Sequence, residues 1–566
     1  MNLRHFLLPS CLGLWLFHVP PASAQDALYR NGVVVAATAE ASEVGVAILK
    51  AGGNAIDAAV ASAFALAVTH PQAGNLGGGG FAVIHRADGN DIAFDFRETA
   101  PARASRTMFL DEKGNVDPEA SLQSHRASGI PGSVDGLLRL AAQHGSGKFT
   151  PAQLIEPAII LAREGFPLSP TSAEDLNRAR TRFERQEAAR AIFVREDGRP
   201  WSVGDRLVQT DLAATLEAIA AEGRAGFYGG RVAQLLVDEM SRSGGLIGLD
   251  DLDEYRTVLR APLRGAFRGF EIVTMPLPSS GGLLLLQMLG MAELQPLDLI
   301  VQSPVLYPHL IAELARRAYA DRAQHLGDPA FWEVPEKGLL SPDYIAARAR
   351  GISLDQATPS AEVAPGDLAP YESDQTTHLS VVDGQGNAVA LTTTLNDEFG
   401  SALVVAGAGF LLNNEMDDFA ASPNSPNLYG LIGGEANAIA PGKRMLSSMV
   451  PTIVLRGGRP AFVVGARGGS RIITSVLQVL IDRFVRGTSG DLAVARARVH
   501  AQWLPDILYY EEDALVPETR ERLAAMGHVV KPFTGPWIGQ VNAIDITEDG
   551  MTPCPDPRGA NQGRGY

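Results

Sequence analysis

Apolar residues recur with helical spacing over residues 39–51 and 55–68, and Gly52-Gly53 between them supplies a C-cap and a turn. The pattern predicts two consecutive helices. Four glycines, Gly77 to Gly80, then lead into two short alternating segments, 81–84 and 92–96, on either side of Asp88-Gly89, which predicts a hairpin. Thr150-Pro151-Ala152-Gln153 opens another helix, with a hydroxyl at the N-cap, proline at the first helical position and glutamine in the capping-box place. Further helices are predicted over 210–222, 231–243, 282–294 and 308–326. Ser279-Ser280 reads as an N-cap and not as a serine nucleophile, since no G-x-S-x-G elbow surrounds it.

The pattern changes beyond residue 350. Residues 357–374 are rich in proline, serine and acidic side chains without any period, and predict an exposed segment open to cutting. Strands follow: 377–383 and 387–394 flank Gly384-Gln385-Gly386, and 452–455 and 460–464 flank Gly457-Gly458, giving two hairpins ahead of a helix over about 470–484. Helices early and hairpins late point to a layered sandwich of sheets and helices.

Composition narrows the function. The chain has 566 residues, 46% hydrophobic and 20% charged, enough for a large buried core. A formal net charge of −16 and no basic stripe exclude a nucleic acid or an anionic membrane surface as partner. Arg4 and His5, the apolar run 6–19 and Ala22-Ser23-Ala24 make residues 1–24 a cleavable export signal. The mature chain then starts at Gln25, with a periplasmic or secreted location and no membrane span. Cys11 and Cys554 are the only cysteines, so signal removal leaves Cys554 without an intrachain partner. The glycine run lacks both a phosphate-loop lysine and a dinucleotide fingerprint, and reads as close backbone packing. No H-E-x-x-H or paired-cysteine motif occurs, so no metal or other cofactor is expected.

Chemistry concentrates at Asp374-Gln375-Thr376-Thr377-His378-Leu379-Ser380, where the polar segment runs into a buried-looking strand. Self-cleavage at such a junction would create an N-terminal threonine. A threonine hydroxyl needs a base, and a freed α-amino group, with a reference pKa of ~7.7–8.0, supplies one within the same residue. On pattern alone an ordinary strand start is the simpler reading.

Gln375-Thr376-Thr377-His378 with Ser380-Val381-Val382-Asp383 is, however, similar to the cleavage and nucleophile motif of the γ-glutamyltranspeptidases (glutathione hydrolases). Other stretches resemble that family's motifs in order. They include Asn54 to Ala59, Gly77 to Phe81, Asp95-Phe96-Arg97-Glu98, Ser128 to Gly132, Tyr319 to Arg322, Leu412 to Phe419, Leu446-Ser447-Ser448-Met449 and Gly468 to Ile472. The resemblance implies an α+β fold, the four-layer αββα sandwich of the N-terminal-nucleophile hydrolases, formed jointly by two chains cut from one precursor between Gln375 and Thr376. Residues 25–375 would form the large chain and 376–566 the small, catalytic one, held together as a heterodimer.

By the same resemblance, Thr376 is the nucleophile and its amine the base. The Thr394 hydroxyl holds the nucleophile's oxygen, and Gly468 and Gly469 supply N–H groups to the oxyanion. Arg97, Ser447 and Ser448 receive the α-carboxylate of a γ-glutamyl group, and Asn396, Glu415 and Asp418 its ammonium, with opposite charges at opposite ends of the pocket. Residues 424–434, with Tyr429, correspond to a lid. The implied partners are small γ-glutamyl substrates such as glutathione and amino acid or dipeptide acceptors.

Two features depart from the family pattern. Arg467 stands where the family commonly has proline, and Met445 and Val450 flank the serine pair. Arg467 either faces the leaving group, favouring one that carries a carboxylate, or pairs with a carboxylate for structural reasons. A glutaryl or cephalosporin acylase of the same fold, and an inactive uncleaved binding protein, are the alternative functions.

Overall fold

Two sheets stacked face to face carry the chain in a computed structural model that describes residues 28–363, 375–421 and 434–566. The strands that build them are β1 (Gly32–Ala36), β2 (Gly79–His85), β3 (Asp91–Phe96), β4 (Val258–Arg260), β5 (Leu263–Phe267), β6 (Phe270–Thr274), β7 (Gln375–Asp383), β8 (Ala388–Asn396), β9 (Thr452–Arg456), β10 (Arg459–Arg467), β11 (Gln540–Ile546), β12 (Met551–Cys554) and β13 (Gln562–Gly565). The first sheet runs β13-β1-β7-β8-β2-β3-β4 and the second β12-β11-β10-β9-β6-β5. Neighbouring strands are antiparallel throughout both.

The period-2 pattern sorts side chains between layers. Val33, Val35, Phe81, Val83, Val382, Ala388 and Ala390 point into the core shared with the second sheet. Val34, Ala36, Ala82, Ile84, Val381, Val389 and Leu391 point the other way, against helices. Helices of that outer layer include α1 (Ala39–Lys50), α2 (Ala55–Thr69), α3 (Ser133–His144), α4 (Pro151–Glu164), α5 (Thr210–Glu222) and α6 (Gly230–Ser243). Three more, α7 (Ser280–Glu293), α8 (Leu306–His325) and α9 (Arg471–Phe484), cover the second sheet. The result is the αββα sandwich.

Local signals act as the sequence reading expects. Asn54 and Asp57 close a capping box on α2, Thr150 and Gln153 close one on α4, and the Ser279 hydroxyl accepts from the Gly281 N–H at the start of α7. The glycine run is close packing: a Cβ on Gly78 would sit 2.1 Å from the Thr394 carbonyl oxygen, and one on Gly80 2.2 Å from that of Thr392.

One expectation holds only in part. In residues 357–363, Pro359, Ala361 and Glu362 are exposed, whereas Ala357, Ser360 and Val363 are buried. Arg316 Nε donates to the Ser360 hydroxyl and Trp503 Nε1 to its carbonyl, so this serine, whose polarity suggested solvent exposure, is satisfied internally. Residues 364–374, the export signal and Tyr429 with its lid fall outside the described residues. Among those described, no helix is long and apolar enough to cross a membrane.

Candidate active site

The site lies at one end of the sandwich, where strands of both sheets begin or stop. Thr376 is near the start of β7, Thr394 and Asn396 end β8, Arg97 follows β3, and Gly468 and Gly469 follow β10. A pocket of about 20 Å³ is lined by Arg97, Thr376, Thr394, Asn396, Glu415, Asp418, Ser447, Ser448 and Gly469, with Met449 and Ile472. Nine residues singled out from the sequence therefore converge on one cavity, and Gly468 adjoins it. Gln375 begins the strand ahead of Thr376.

A register slip sets the geometry around Thr376. Thr393 pairs with Thr377 and Asn396 with Gln375, so Thr394 and Leu395 together stand against Thr376 alone. This extra residue is a bulge, which re-aims side chains at the end of a ladder. Asn396 closes it at φ 76°, in the left-handed region that asparagine tolerates, and its N–H donates to Thr394 Oγ1 at 2.8 Å. Asn75 holds the same point from the other side: its amide donates to the Thr394 carbonyl oxygen at 2.7 Å and to Thr393 Oγ1 at 3.0 Å, and its Oδ1 accepts from Gly78 N–H and Ser133 Oγ.

The neighbouring His378 is no candidate base. It is buried between the sheets against Gly465, bonded to Thr392 and Ser380, and burial pushes its pKa down to about 3.

Charge is concentrated on one guanidinium. Arg97 is 1% exposed; its Nη1 donates to Glu415 Oε1 at 2.6 Å, its Nη2 to Asp418 Oδ2 at 2.5 Å and its Nε to the Met445 carbonyl at 3.4 Å. Tyr255 fixes its backbone by donating to the Arg97 carbonyl at 2.9 Å. The charges are thus in direct contact and not at opposite ends of the pocket, because a buried arginine without its acids would carry an uncompensated charge. Glu98 adds a third carboxylate, 3.9 Å from Arg97 Nη1 and without a hydrogen bond on either oxygen among the described residues. Glu415 Oε2, Asp418 Oδ1 and Ser448 Oγ are also buried and unpartnered among them.

Burial works against the charge of Arg97, but Glu415, Asp418 and Glu98 outweigh it and raise its pKa. Burial likewise raises Glu415 and Asp418, opposed by Arg97, and pushes Glu98 up to about 8.

The turn after β10 needs glycine. Gly468 sits at φ 131° and Gly469 at φ 59°, and a Cβ on Gly468 would lie 2.9 Å from the Gly539 Cα. Arg467 just before it is buried, with its guanidinium 4.7 Å from the centre of the Trp537 ring and its Nη1 donating to His70 Nε2 at 3.1 Å. Its side chain is packed against Trp537 and His70 and is not among the residues that line the Thr376 pocket, which supports the structural reading over one in which it faces the leaving group. Among the described residues it makes no direct ion pair with a carboxylate; its partners are an imidazole and an indole. Met445, the other departure, contributes only its carbonyl oxygen to Arg97, which any residue supplies.

Asn75 and Glu98 escape residue-by-residue reading, since neither has a spacing signal linking it to the nucleophile strand. Glu98 could have been found through its place beside Arg97 in the quoted motif.

A sandwich of this layering, with its pocket built around a threonine at a strand's start, defines an N-terminal-nucleophile hydrolase. Residues 41–566 match the gamma-glutamyltranspeptidase family, and the chain belongs to it. It is 46% identical over 531 residues to the glutathione hydrolase proenzyme of Escherichia coli (strain K12), covering 94% of this chain and 90% of that one. The solved gamma-glutamyltranspeptidase of Helicobacter pylori aligns with a TM-score of 0.57 at 44% identity, over 58% of this chain and 93% of that one. Cephalosporin acylase from Bacillus halodurans shares the fold over 100% of this chain and 99% of its own, with a TM-score of 0.83 at 24% identity.

Proposed function

We propose that the exported precursor cuts itself between Gln375 and Thr376 and then hydrolyses or transfers the γ-glutamyl group of glutathione and related compounds. Thr376 Oγ attacks the γ-glutamyl carbonyl while the freed α-amine takes the hydroxyl proton. The oxyanion receives N–H groups from Gly468 and Gly469. The amine of the departing part leaves with a proton, and water or an acceptor amine then opens the ester, regenerating Thr376.

The observation that carries this reading is the cluster of Arg97 with Glu415 and Asp418 in the Thr376 pocket. A γ-glutamyl head brings one carboxylate and one ammonium, so it exchanges with an existing ion pair and leaves the buried charge sum unchanged. A glutaryl group lacks the ammonium and would leave a buried carboxylate uncompensated.

The test uses the purified full chain, which is expected to run as two bands and to release glutamate from glutathione. A γ-glutamyl anilide is expected to exceed the glutaryl anilide in kcat/KM by about ten- to a hundredfold, the range for a charged hydrogen bond lost in a buried site. A preference for the glutaryl compound would favour an acylase. A single inactive chain would favour the binding protein.

Glu98 makes binding pH-dependent. Its carboxyl is neutral below its pKa of about 8 and becomes an anion beside Arg97 above it, where it competes with the substrate's carboxylate. The KM for a γ-glutamyl anilide is expected to rise roughly three- to tenfold as pH passes through this value, the range of up to one pKa unit of interaction. In Glu98→Gln that rise is absent. An identical KM profile in both proteins would remove Glu98 from this role.

A further inference from the structure

Arg467 is buried without lining the pocket, yet its backbone leads directly into the turn proposed to hold the oxyanion. Its surroundings form a continuous strut. The Trp537 indole lies under both residues: the Arg467 guanidinium stacks over the ring at 4.7 Å, and a Cβ on Gly468 would come within 3.3 Å of Cζ3. Arg467 also pairs in register with Gln540 of β11, two residues past Ile538, so the turn rests on the 537–540 backbone. At its far end the guanidinium donates to His70, the C-cap of α2, whose carbonyl accepts the N–H groups of Ala73 and Gly74. That short loop ends at Asn75, which grips the Thr394 carbonyl.

Burial, with Arg467 second, holds the His70 pKa well below its ordinary value, which keeps Nε2 available as an acceptor. The strut therefore joins the glycine turn to the bulge beside Thr376.

We infer that Arg467 is a positioning residue: through Trp537 and His70 it fixes the Gly468–Gly469 turn relative to Thr376 and Thr394. This rests on the oxyanion role proposed for those glycines. A turn that drifts by a fraction of an ångström still admits substrate but stabilises the developing oxyanion less, so the effect falls on kcat and not on KM.

The test compares Arg467→Met, which removes charge and hydrogen bond at similar length, Arg467→Lys, which keeps the charge without the flat stack, His70→Phe, and the double variant His70→Phe/Arg467→Met. Each is assayed as the full chain for cutting, melting temperature, and kcat and KM on a γ-glutamyl anilide. The expected result is complete cutting, KM within about twofold, and kcat reduced about tenfold in Arg467→Met and His70→Phe and about threefold in Arg467→Lys. The double variant falls no further than either single one, because both break one strut.

A tenfold rise in KM at unchanged kcat would place the side chain on the substrate and overturn the inference. So would an unchanged kcat, or multiplicative losses in the double variant. Where Arg467→Met fails to fold, Arg467→Lys and His70→Phe decide by the same readings. Failure of the underlying reaction scheme shows separately, as turnover surviving in Thr376→Ala.

Discussion

Thr376→Ala leaves one uncut chain with no measurable turnover of a γ-glutamyl anilide. The hydroxyl is needed twice. In the proposed maturation Thr376 Oγ attacks the Gln375 carbonyl carbon, the C–N bond breaks as the C–O ester forms, and water cleaves the ester to leave a Gln375 carboxylate and a free Thr376 amine. In the proposed turnover the same oxygen attacks substrate with that amine as base. Alanine removes both steps, and loss of a nucleophile of this kind costs on the order of 10⁶-fold in kcat. Thr376→Ser keeps the oxygen but loses the β-branch that restricts χ1, and is expected to cut more slowly. A denaturing gel decides the matter: two bands from the alanine variant would sink the assignment of the nucleophile.

Arg97→Lys is expected to mature normally while losing about 1.5–3 kcal/mol in kcat/KM on γ-glutamyl substrates, roughly ten- to a hundred-and-fiftyfold. Arg97 now spreads three N–H directions over Glu415, Asp418 and the Met445 carbonyl. A lysine ammonium is a point charge on a flexible stem and cannot reproduce that planar fork, either toward the acids or toward an incoming carboxylate. Melting temperature and the two-band pattern serve as controls for folding. Parity of the lysine variant with the parent in kcat/KM would remove Arg97 from substrate recognition.

Much of this is legible in the amino-acid sequence. Helices and hairpins declare themselves through period and capping, because α2, α4 and β7–β8 obey local rules that their tertiary surroundings do not override. The pocket residues were reached differently, through motif resemblance, since Arg97, Glu415 and Ser447 lie far apart in sequence and share no spacing.

What stayed hidden depends on pairing across the fold. The bulge at Thr394 is a matter of register between two strands, and nothing in either strand alone announces it. The contact of Arg97 with its acids reflects burial, which the sequence does not show. The partners of Arg467 are equally hidden, because Trp537 and His70, which enclose it, lie 70 and 397 residues away in sequence. Ser360, in the polar segment 357–363, is buried for a similar reason, satisfied by Arg316 and Trp503 while Pro359, Ala361 and Glu362 stay exposed.

The strand order carries a consequence for the cut protein's history. In the first sheet β1 lies between β13 and β7, and β7–β8 lie between β1 and β2, so segments from before and after residue 375 alternate across it. Breaking the 375–376 bond therefore frees neither piece: each is woven into the other's hydrogen-bond ladder. The precursor assembles that weave as one polymer, closing loops within itself, whereas two separated pieces would have to find each other and interleave strand by strand. Heating is accordingly expected to be a one-way event for the matured enzyme, with no recovery of native signal on cooling. The uncut Thr376→Ala chain, still a single thread, is expected to regain its fold under the same cycle, so that maturation exchanges reversibility for a free amine.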